Sequence, residues 1–289
     1  MRAQEINREL TLAQDVGPVK DIVIPPCPQL LIQLQHAIDQ PDPDPEVVAS
    51  IAGSDVAMAA ALIKLSNSSL FALREPVKSV NQAVSMLGVR PTATVLTCFL
   101  LRNTIRIDPT VIEHFWESST RRSLAMAHIA GQMYSVDVEL AQTCGLFIHV
   151  GIPVLLQGVQ GYSGTLVEAM ARQDRTFIQT ENAAHRTDHA VVGALVAKTW
   201  RLPLEVVYAV RLHHDFSALS DTHVALEVRR LVAIAAIADH LVARHEGVKV
   251  QREWLMHGMK CMAFLQISAD EVEGWVDALY PAFEGVVVV

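Results

Sequence analysis

Apolar residues recur every three or four positions along most of the chain, and strict alternation of apolar and polar residues is almost absent. The first spacing places apolar side chains on one face of a helix, whereas a half-buried strand shows a period of two. The pattern therefore predicts an all-α protein with almost no strand.

Prolines and capping signals set the predicted helix boundaries in the first third of the chain. Residues 1–24 are expected to form a loose, charged leader, and the prolines within 25–28 exclude helix until about Gln29. Asp44-Pro-Glu46 combines an N-cap, a proline and an acid, the features of a new helix start. A capping box at Ser79-Val-Asn-Gln82 opens a further helix that ends at Gly88.

A boundary near residues 102–109 divides the predicted helices into two lobes. An N-terminal helical lobe covers residues 22–108 and a second helical lobe covers 109–245, with a leader at 1–21 and a C-terminal helical extension at 246–289. From the boundary onward, the periodic apolar segments predict helices at about 112–134, 139–157, 188–200, 225–245, 251–264 and 268–280.

Composition and charge limit the classes of function. The chain has 289 residues, is 51% hydrophobic and carries a formal net charge of −8, which opposes broad contact with nucleic-acid phosphate or an anionic membrane. The first residues lack the apolar region of a signal peptide, and no stretch reaches the ~18 apolar residues of a membrane span. The four cysteines show no CxxC or Cys/His spacing. We therefore expect a cytoplasmic protein that binds no membrane and contains reduced cysteines.

One segment has the outline of a metal site. Gly145-Leu-Phe-Ile-His-Val-Gly151 fits the frame Gly-Leu-Leu-His-Asp-x-Gly of the HD phosphohydrolases, whose adjacent His and Asp hold a catalytic metal. Further segments follow the order of one branch of that superfamily: Ile24-Pro-Pro-Cys-Pro28, Leu62-Ile-Lys-Leu-Ser-Asn-Ser68 with Phe71, Ser79-Val-Asn-Gln-Ala-Val-Ser-Met-Leu-Gly88 and His189-Ala-Val-Val-Gly193. Over roughly residues 22–245 the chain thus resembles the HDOD family, the HD-related output domains of bacterial signal transduction. The resemblance implies a multi-helix fold in which an N-terminal helical lobe packs on a degenerate HD-like helical lobe.

The resemblance also assigns the HD metal ligands to four positions, of which one holds a suitable residue. Ser118 replaces the first histidine, Ile148 and His149 stand at the His-Asp pair, and the distant acid is retained as Asp239. A shift of one residue makes His149 the histidine of the pair but places Val150 where the bridging carboxylate belongs. Isoleucine has no lone pair, and a neutral imidazole cannot replace a carboxylate between two cations. We therefore expect no catalytic metal and no cofactor.

Other polar residues are candidates for the same cavity. The histidines and acid of this set are His185, Asp188, His189, His213 and His214. They either gather to bind a metal in another geometry or serve the fold, with His189 at a helix start and His213 and His214 at a helix end. Arg121 and Arg122 either neutralise a phosphate at the cavity mouth or lie on a solvated helix face.

The function implied by the resemblance is that of a non-catalytic regulatory module in signal transduction. Such a module binds a regulatory or sensory protein, or a small ligand in the cavity, and we expect the protein partner at Leu70, Phe71 and Leu73 in the family-specific lobe. The alternative is a metal-dependent phosphohydrolase or cyclic-nucleotide phosphodiesterase that uses the surviving histidines with Asp239. The acidic balance disfavours direct DNA binding.

Overall fold

The regular structure of the protein is helical. The computed structural model describes residues 2–67, 75–106, 114–172, 174–248 and 251–286, and none of these residues lies in a strand. This confirms the all-α class. In chain order, the described α-helices are α1 (Arg2–Asp15), α2 (Gln29–Ile38), α3 (Pro45–Gly53), α4 (Val56–Ser66), α5 (Val80–Leu87), α6 (Val89–Thr104), α7 (Phe115–Gly131), α8 (Val138–Phe147), α9 (Gly151–Gly158), α10 (Tyr162–Ala171), α11 (Phe177–His185), α12 (His189–Thr199), α13 (Leu204–Leu212), α14 (Leu226–His245), α15 (Arg252–Leu265) and α16 (Ala269–Glu284). Short 3-10 helices lie at Pro18–Asp21 and Phe216–Ser220.

The chain forms two compact units, and the smaller one comprises residues 26–106 and 281–289. In this unit α3 packs against α5, α2 packs against α6, and α4 contacts both α5 and α6. The predicted helix starts are confirmed, because the side chain of Asp44 accepts a hydrogen bond from the Glu46 amide and that of Ser79 accepts one from the Gln82 amide. These caps satisfy backbone N–H groups that have no partner within the helix.

The larger unit comprises residues 1–25 and 107–280. Helix α14 contacts α7, α8, α13 and α15, and α12 contacts α9 and α13. Leu231, Ile234 and Ile237 of α14 are fully buried, and their spacing of three places them on one helix face. The Trp200 side chain is also fully buried, and its indole N–H donates to the carbonyl oxygen of Pro25 at 2.8 Å. The tryptophan therefore fastens the segment before residue 26 to the rest of this unit.

The N-terminal residues differ from the expected loose leader. Helix α1 packs on α12 and α13 and buries Ile6 and Leu10, which are one helical turn apart. At its start, Arg2 forms ion pairs with Asp215 and Asp221. The apolar face of α1 is only two residues wide and is surrounded by charge, which is why the sequence pattern alone did not indicate a packed helix.

The region between residues 139 and 185 also differs from the prediction. The single helix expected at 139–157 is two helices, α8 and α9, separated by a turn at 148–150. Helices α10 and α11 were not predicted. The start of α11 is a capping box in which Thr176 and Gln179 exchange hydrogen bonds, so its signal, Thr-x-x-Gln, is present in the sequence.

One segment of the described chain is long and apolar enough to cross a membrane by length and composition. It spans Val138–Gly158 and therefore includes α8 and α9, although no such stretch was expected from the sequence. In the fold, 67% of its apolar window is buried inside the protein. Two bent helix pairs, α3 with α4 and α5 with α6, pass the same test only when each pair is treated as one span.

Candidate functional site

Four histidine side chains converge inside the larger unit. His149 lies in the turn between α8 and α9, His189 is the first residue of α12, and His213 and His214 directly follow α13. One ring nitrogen from each histidine lies within 4.8 Å of the corresponding nitrogen of every other. We call these four residues the histidine cluster.

The nitrogen atoms of the cluster contact one another closely. The Nε2 atom of His189 lies 3.2 Å from Nδ1 of His149, 3.2 Å from Nε2 of His213 and 3.0 Å from Nε2 of His214. All four side chains are buried or nearly so, with His149 the most exposed at 14%. His189 is therefore the centre of the cluster, and the other three residues surround its Nε2 atom.

Two glycines allow the turn that carries His149 to reach the start of α12. A Cβ atom on Gly151 would lie 2.0 Å from the carbonyl oxygen of His189 and 2.7 Å from the amide nitrogen of Gly193. A Cβ atom on Gly193 would in turn lie 3.0 Å from a methyl group of Val210. Because no side chain fits between these backbones, the glycines set the distance from His149 to His189.

In each histidine, the ring nitrogen that faces away from the cluster donates a hydrogen bond to an acceptor. The Nδ1–H of His189 donates to the carboxylate of Glu181 at 2.8 Å, and that of His214 donates to both carboxylate oxygens of Glu253 at 2.7 and 2.8 Å. The Nδ1–H of His213 donates to the backbone carbonyl of Val210 at 2.7 Å. The Nε2–H of His149 donates to the carboxylate of Asp239 at 3.2 Å.

These acceptors fix the tautomer of each ring. A carboxylate or carbonyl oxygen cannot donate, so the ring nitrogen that faces it must carry the hydrogen. In a neutral imidazole the second nitrogen then presents a lone pair. When all four rings are neutral, the four lone pairs therefore point into the cluster.

Burial and charge act together on the protonation of the cluster. Burial lowers the pKa of His149 to about 4, against the opposing effect of the Asp239 carboxylate. Burial lowers the pKa of His213 well below its ordinary value, and charge on the other histidines would lower it further. Burial also acts to lower the pKa of His214, but the carboxylates of Glu253, Asp239 and Glu181 together outweigh it and the pKa is raised. His149 and His213 are therefore held in the neutral form that binds metals.

The four HD positions have other partners. Ser118 donates its hydroxyl to a carboxylate oxygen of Glu246 at 2.5 Å, and Ile148 is completely buried. Arg122 donates to the carboxylate of Asp239. Burial acts to raise the pKa of Asp239, but the charge of Arg122 and the hydrogen bonds from His149 and Arg122 hold it well below its usual range. The retained acid is thus an ionised partner of a guanidinium group.

The other predicted site residues lie in several places. Arg121 contacts Glu246 at 3.3 Å, so both arginines face carboxylates of the protein. His185 forms a 2.8 Å hydrogen bond with Thr165, and Asp188 caps α12 by accepting from the Val191 amide. Neither His185 nor Asp188 belongs to the histidine cluster.

Three of the five residues predicted for the cavity, His189, His213 and His214, meet in the cluster, and His149 joins them. Sequence analysis missed Glu181 and Glu253, which hold two of the rings. Each is a single acid in a helix, and nothing in the local sequence distinguishes it from a solvated residue. Leu70, Phe71 and Leu73, the expected partner surface, lie outside the described residues.

A cavity of about 550 Å³ adjoins the cluster. The four histidines, Arg122 and Asp239 line part of it, and the aromatic rings of Phe177, Phe216 and Trp254 line another part. A pocket with this mixture of apolar wall and converging polar groups is typical of small-molecule sites.

A comparison of the sequence with protein-family models identifies the family of the chain. Residues 24–216 match the family model of the HDOD domain. The match covers well over half of the sequence, and the chain therefore belongs to the HDOD domain family. This confirms the resemblance drawn from the segments around Ile24, Ser79 and Gly145.

Solved structures share the fold. An HDOD domain protein of unknown function from Geobacter sulfurreducens has a TM-score of 0.76 and 19% identity, with 98% of this chain and 100% of that chain covered. A candidate phosphohydrolase from Shewanella amazonensis has a TM-score of 0.72 and 17% identity, with 93% and 96% covered. An uncharacterised protein of Treponema pallidum is 24% identical over 227 residues, and the match spans 78% of this chain and 43% of that relative.

Proposed function

We propose that the chain is a cytoplasmic, non-catalytic regulatory module of signal transduction, which acts by binding a regulatory or sensory protein. Membership in the HDOD domain family supports this role. The observation that carries the non-catalytic part is the ion pair between Arg122 and Asp239 at the former HD site.

This ion pair opposes a two-metal reaction. Two-metal hydrolysis places two cations about 3.5–4 Å apart, where they stabilise the attacking and leaving oxygens. In this chain the pair positions hold Ile148 and His149, neither of which offers a bridging carboxylate. The remaining acid, Asp239, already faces the guanidinium of Arg122, whose positive charge repels a cation bound at the same carboxylate.

A hydrolysis assay tests the non-catalytic proposal. The full chain would be incubated with manganese, iron or zinc and then given bis(4-nitrophenyl) phosphate and cyclic mono- and dinucleotides. We expect no turnover above that of the matched Asp239→Asn variant, measured at the same metal concentration. Metal-dependent turnover that is lost in Asp239→Asn and kept in His185→Gln would contradict the proposal, because His185 lies outside the cluster.

The predicted docking surface is tested separately. Phe71→Asp introduces a charge into the segment Leu70–Leu73, which lies outside the described residues. We expect this variant to keep the thermal transition of the wild-type chain and to lose proteins that co-purify with it. Equal capture by the two folded chains would show that the partner binds elsewhere.

The alternative function is a metal-dependent phosphohydrolase or cyclic-nucleotide phosphodiesterase. One observation favours it: the histidine cluster faces a cavity large enough for a small substrate. The name of the Shewanella protein points in the same direction for that protein. In the assay above, this function requires turnover that disappears in a His213→Gln variant.

A further inference from the structure

We propose that the histidine cluster binds one divalent transition-metal ion of the zinc class in a closed site made only of nitrogen ligands. The ligands are Nδ1 of His149 and Nε2 of His189, His213 and His214. This inference does not depend on the proposed function, because metal content and hydrolysis are measured independently.

The first support is the set of inward lone pairs. His189 Nε2 contacts three other nitrogens at 3.0–3.2 Å, and each of the four rings has its N–H directed outward to a fixed acceptor. Two acceptor nitrogens at that distance repel unless a proton or a cation lies between them. One additional proton, for example on His214, satisfies one of the three contacts. A single metal ion satisfies all of them.

The second support is the distance between the ring nitrogens. Zinc binds imidazole nitrogen at about 2.0–2.1 Å, and ligands at the corners of a tetrahedron of that size are about 3.4 Å apart. The three short contacts, at 3.0–3.2 Å, lie close to this value. All four nitrogens lie within 4.8 Å of one another, so a small inward movement of the more distant rings completes the tetrahedron.

The third support is the set of residues that accept hydrogen bonds from the four ligand rings. Histidines that bind metals usually donate their other N–H to a carboxylate or backbone carbonyl, which fixes the ring and raises its basicity. Glu181, Glu253 and Asp239 supply carboxylates and Val210 supplies a carbonyl.

Charge on these residues selects a divalent cation. The three carboxylates and the guanidinium of Arg122 leave two net negative charges around four neutral rings. Imidazole ligands suit zinc, copper, iron and nickel, whereas magnesium, calcium and manganese prefer oxygen. Four protein ligands with no position for water are typical of structural zinc sites, so the ion would stabilise the module.

The test is metal binding by the full chain. The protein would be treated with a chelator, desalted, incubated with zinc or cobalt, desalted again and analysed by elemental mass spectrometry. We expect one equivalent of metal, and the cobalt form should show the intense visible absorption of a tetrahedral centre. Less than a tenth of an equivalent in folded wild-type protein would overturn the proposal.

Variants locate the ion. His213→Gln removes one ligand and should lower zinc affinity by at least about tenfold, whereas His185→Gln, a histidine outside the cluster, should bind like wild type. Glu253→Gln keeps all four ligands and changes only the acceptor behind His214, with an expected loss of about 10–100-fold. Because the Glu253 side chain is 32% exposed, this variant tests the site even where His213→Gln fails to fold. Equal affinity in wild type, His213→Gln and Glu253→Gln would place the ion elsewhere.

Discussion

Two sides of the same cavity have different chemistry. On the side formed by α7 and α14, which we call the acid side, Ser118 and Asp239 stand at two of the four HD positions, and Asp239 is paired with Arg122. On the side formed by α11, α12 and the end of α13, which we call the histidine side, each of His189, His213 and His214 donates its Nδ1–H to an acceptor and directs its Nε2 atom into the cluster.

The difference teaches that replacement of HD ligands on one side of a cavity need not remove every group that can bind a metal there. A two-metal centre needs carboxylate ligands that neutralise and bridge two cations, and on the acid side the Asp239 carboxylate is paired with Arg122. A one-metal structural site needs only a few well-oriented donors, which the histidine side provides with His149. Of the four HD positions only His149 belongs to the histidine cluster, so the replacements at Ser118 and Ile148 say little about the histidine side.

The largest effect is expected at Gly151, which lies against the start of α12 on the histidine side. Gly151→Ala places a Cβ atom 2.0 Å from the carbonyl oxygen of His189, so α9 and α12 must separate. We expect destabilisation of about 3 kcal/mol, together with loss of metal binding because His149 moves away from His189. Chemical denaturation and metal content measure the two effects.

Gly164→Ala is the matched control, because it also lies in a helix and a Cβ atom there would have no neighbour within 4 Å. It should leave metal binding unchanged and stabilise α10 by up to about 1 kcal/mol, since alanine is the better helix former. If Gly151→Ala behaved like this control, the close approach of α9 to α12 would not set the cluster.

Zinc should stabilise the wild-type chain by the next largest amount. An ion that binds the native state stabilises it by about 2.7 kcal/mol at a free concentration of 100 times Kd. Thermal unfolding with and without zinc measures the shift, and magnesium serves as the control because it prefers oxygen ligands. An equal shift with magnesium, or no shift with zinc, would contradict selective zinc binding by the histidine side.

The third largest effect is expected when the ion pair on the acid side is broken. Arg122→Met leaves the Asp239 carboxylate without its guanidinium, and we expect destabilisation of about 2 kcal/mol. This is below the ~3–5 kcal/mol of a fully buried pair because 27% of the Asp239 side chain is exposed. The double variant Arg122→Met/Asp239→Asn should be more stable than Arg122→Met, since it removes the uncompensated charge. Additive losses in chemical denaturation would show that the pair is not coupled.

Sequence alone gave correct predictions where the signal is local. The caps at Asp44 and Ser79, the helical period and the family segments all depend on neighbouring residues. The structure confirms the helix starts and the all-α class, and the family model confirms the family. The site depends on contacts between distant residues, such as His149 with His189 and Arg122 with Asp239. Those contacts leave no pattern in the local sequence. The expectation that no metal binds was therefore based on the HD motif positions alone, because the histidine cluster is visible only in the structure.

The smallest expected effect concerns how α11 supports the histidine side. Thr176 caps α11, which carries Glu181, and Thr176→Ala removes the hydrogen bond that the Gln179 amide donates to the Thr176 hydroxyl oxygen. Loss of such a cap destabilises a protein by about 1 kcal/mol. Because Glu181 orients His189, we expect a measurable loss of zinc affinity in the folded variant as well. Asp44→Ala removes a comparable cap from α3 in the smaller unit, so it should lower stability by a similar amount and leave zinc affinity unchanged. If both variants lowered zinc affinity equally, the effect would arise from global stability, and the helix that carries Glu181 would have no specific part in orienting the cluster.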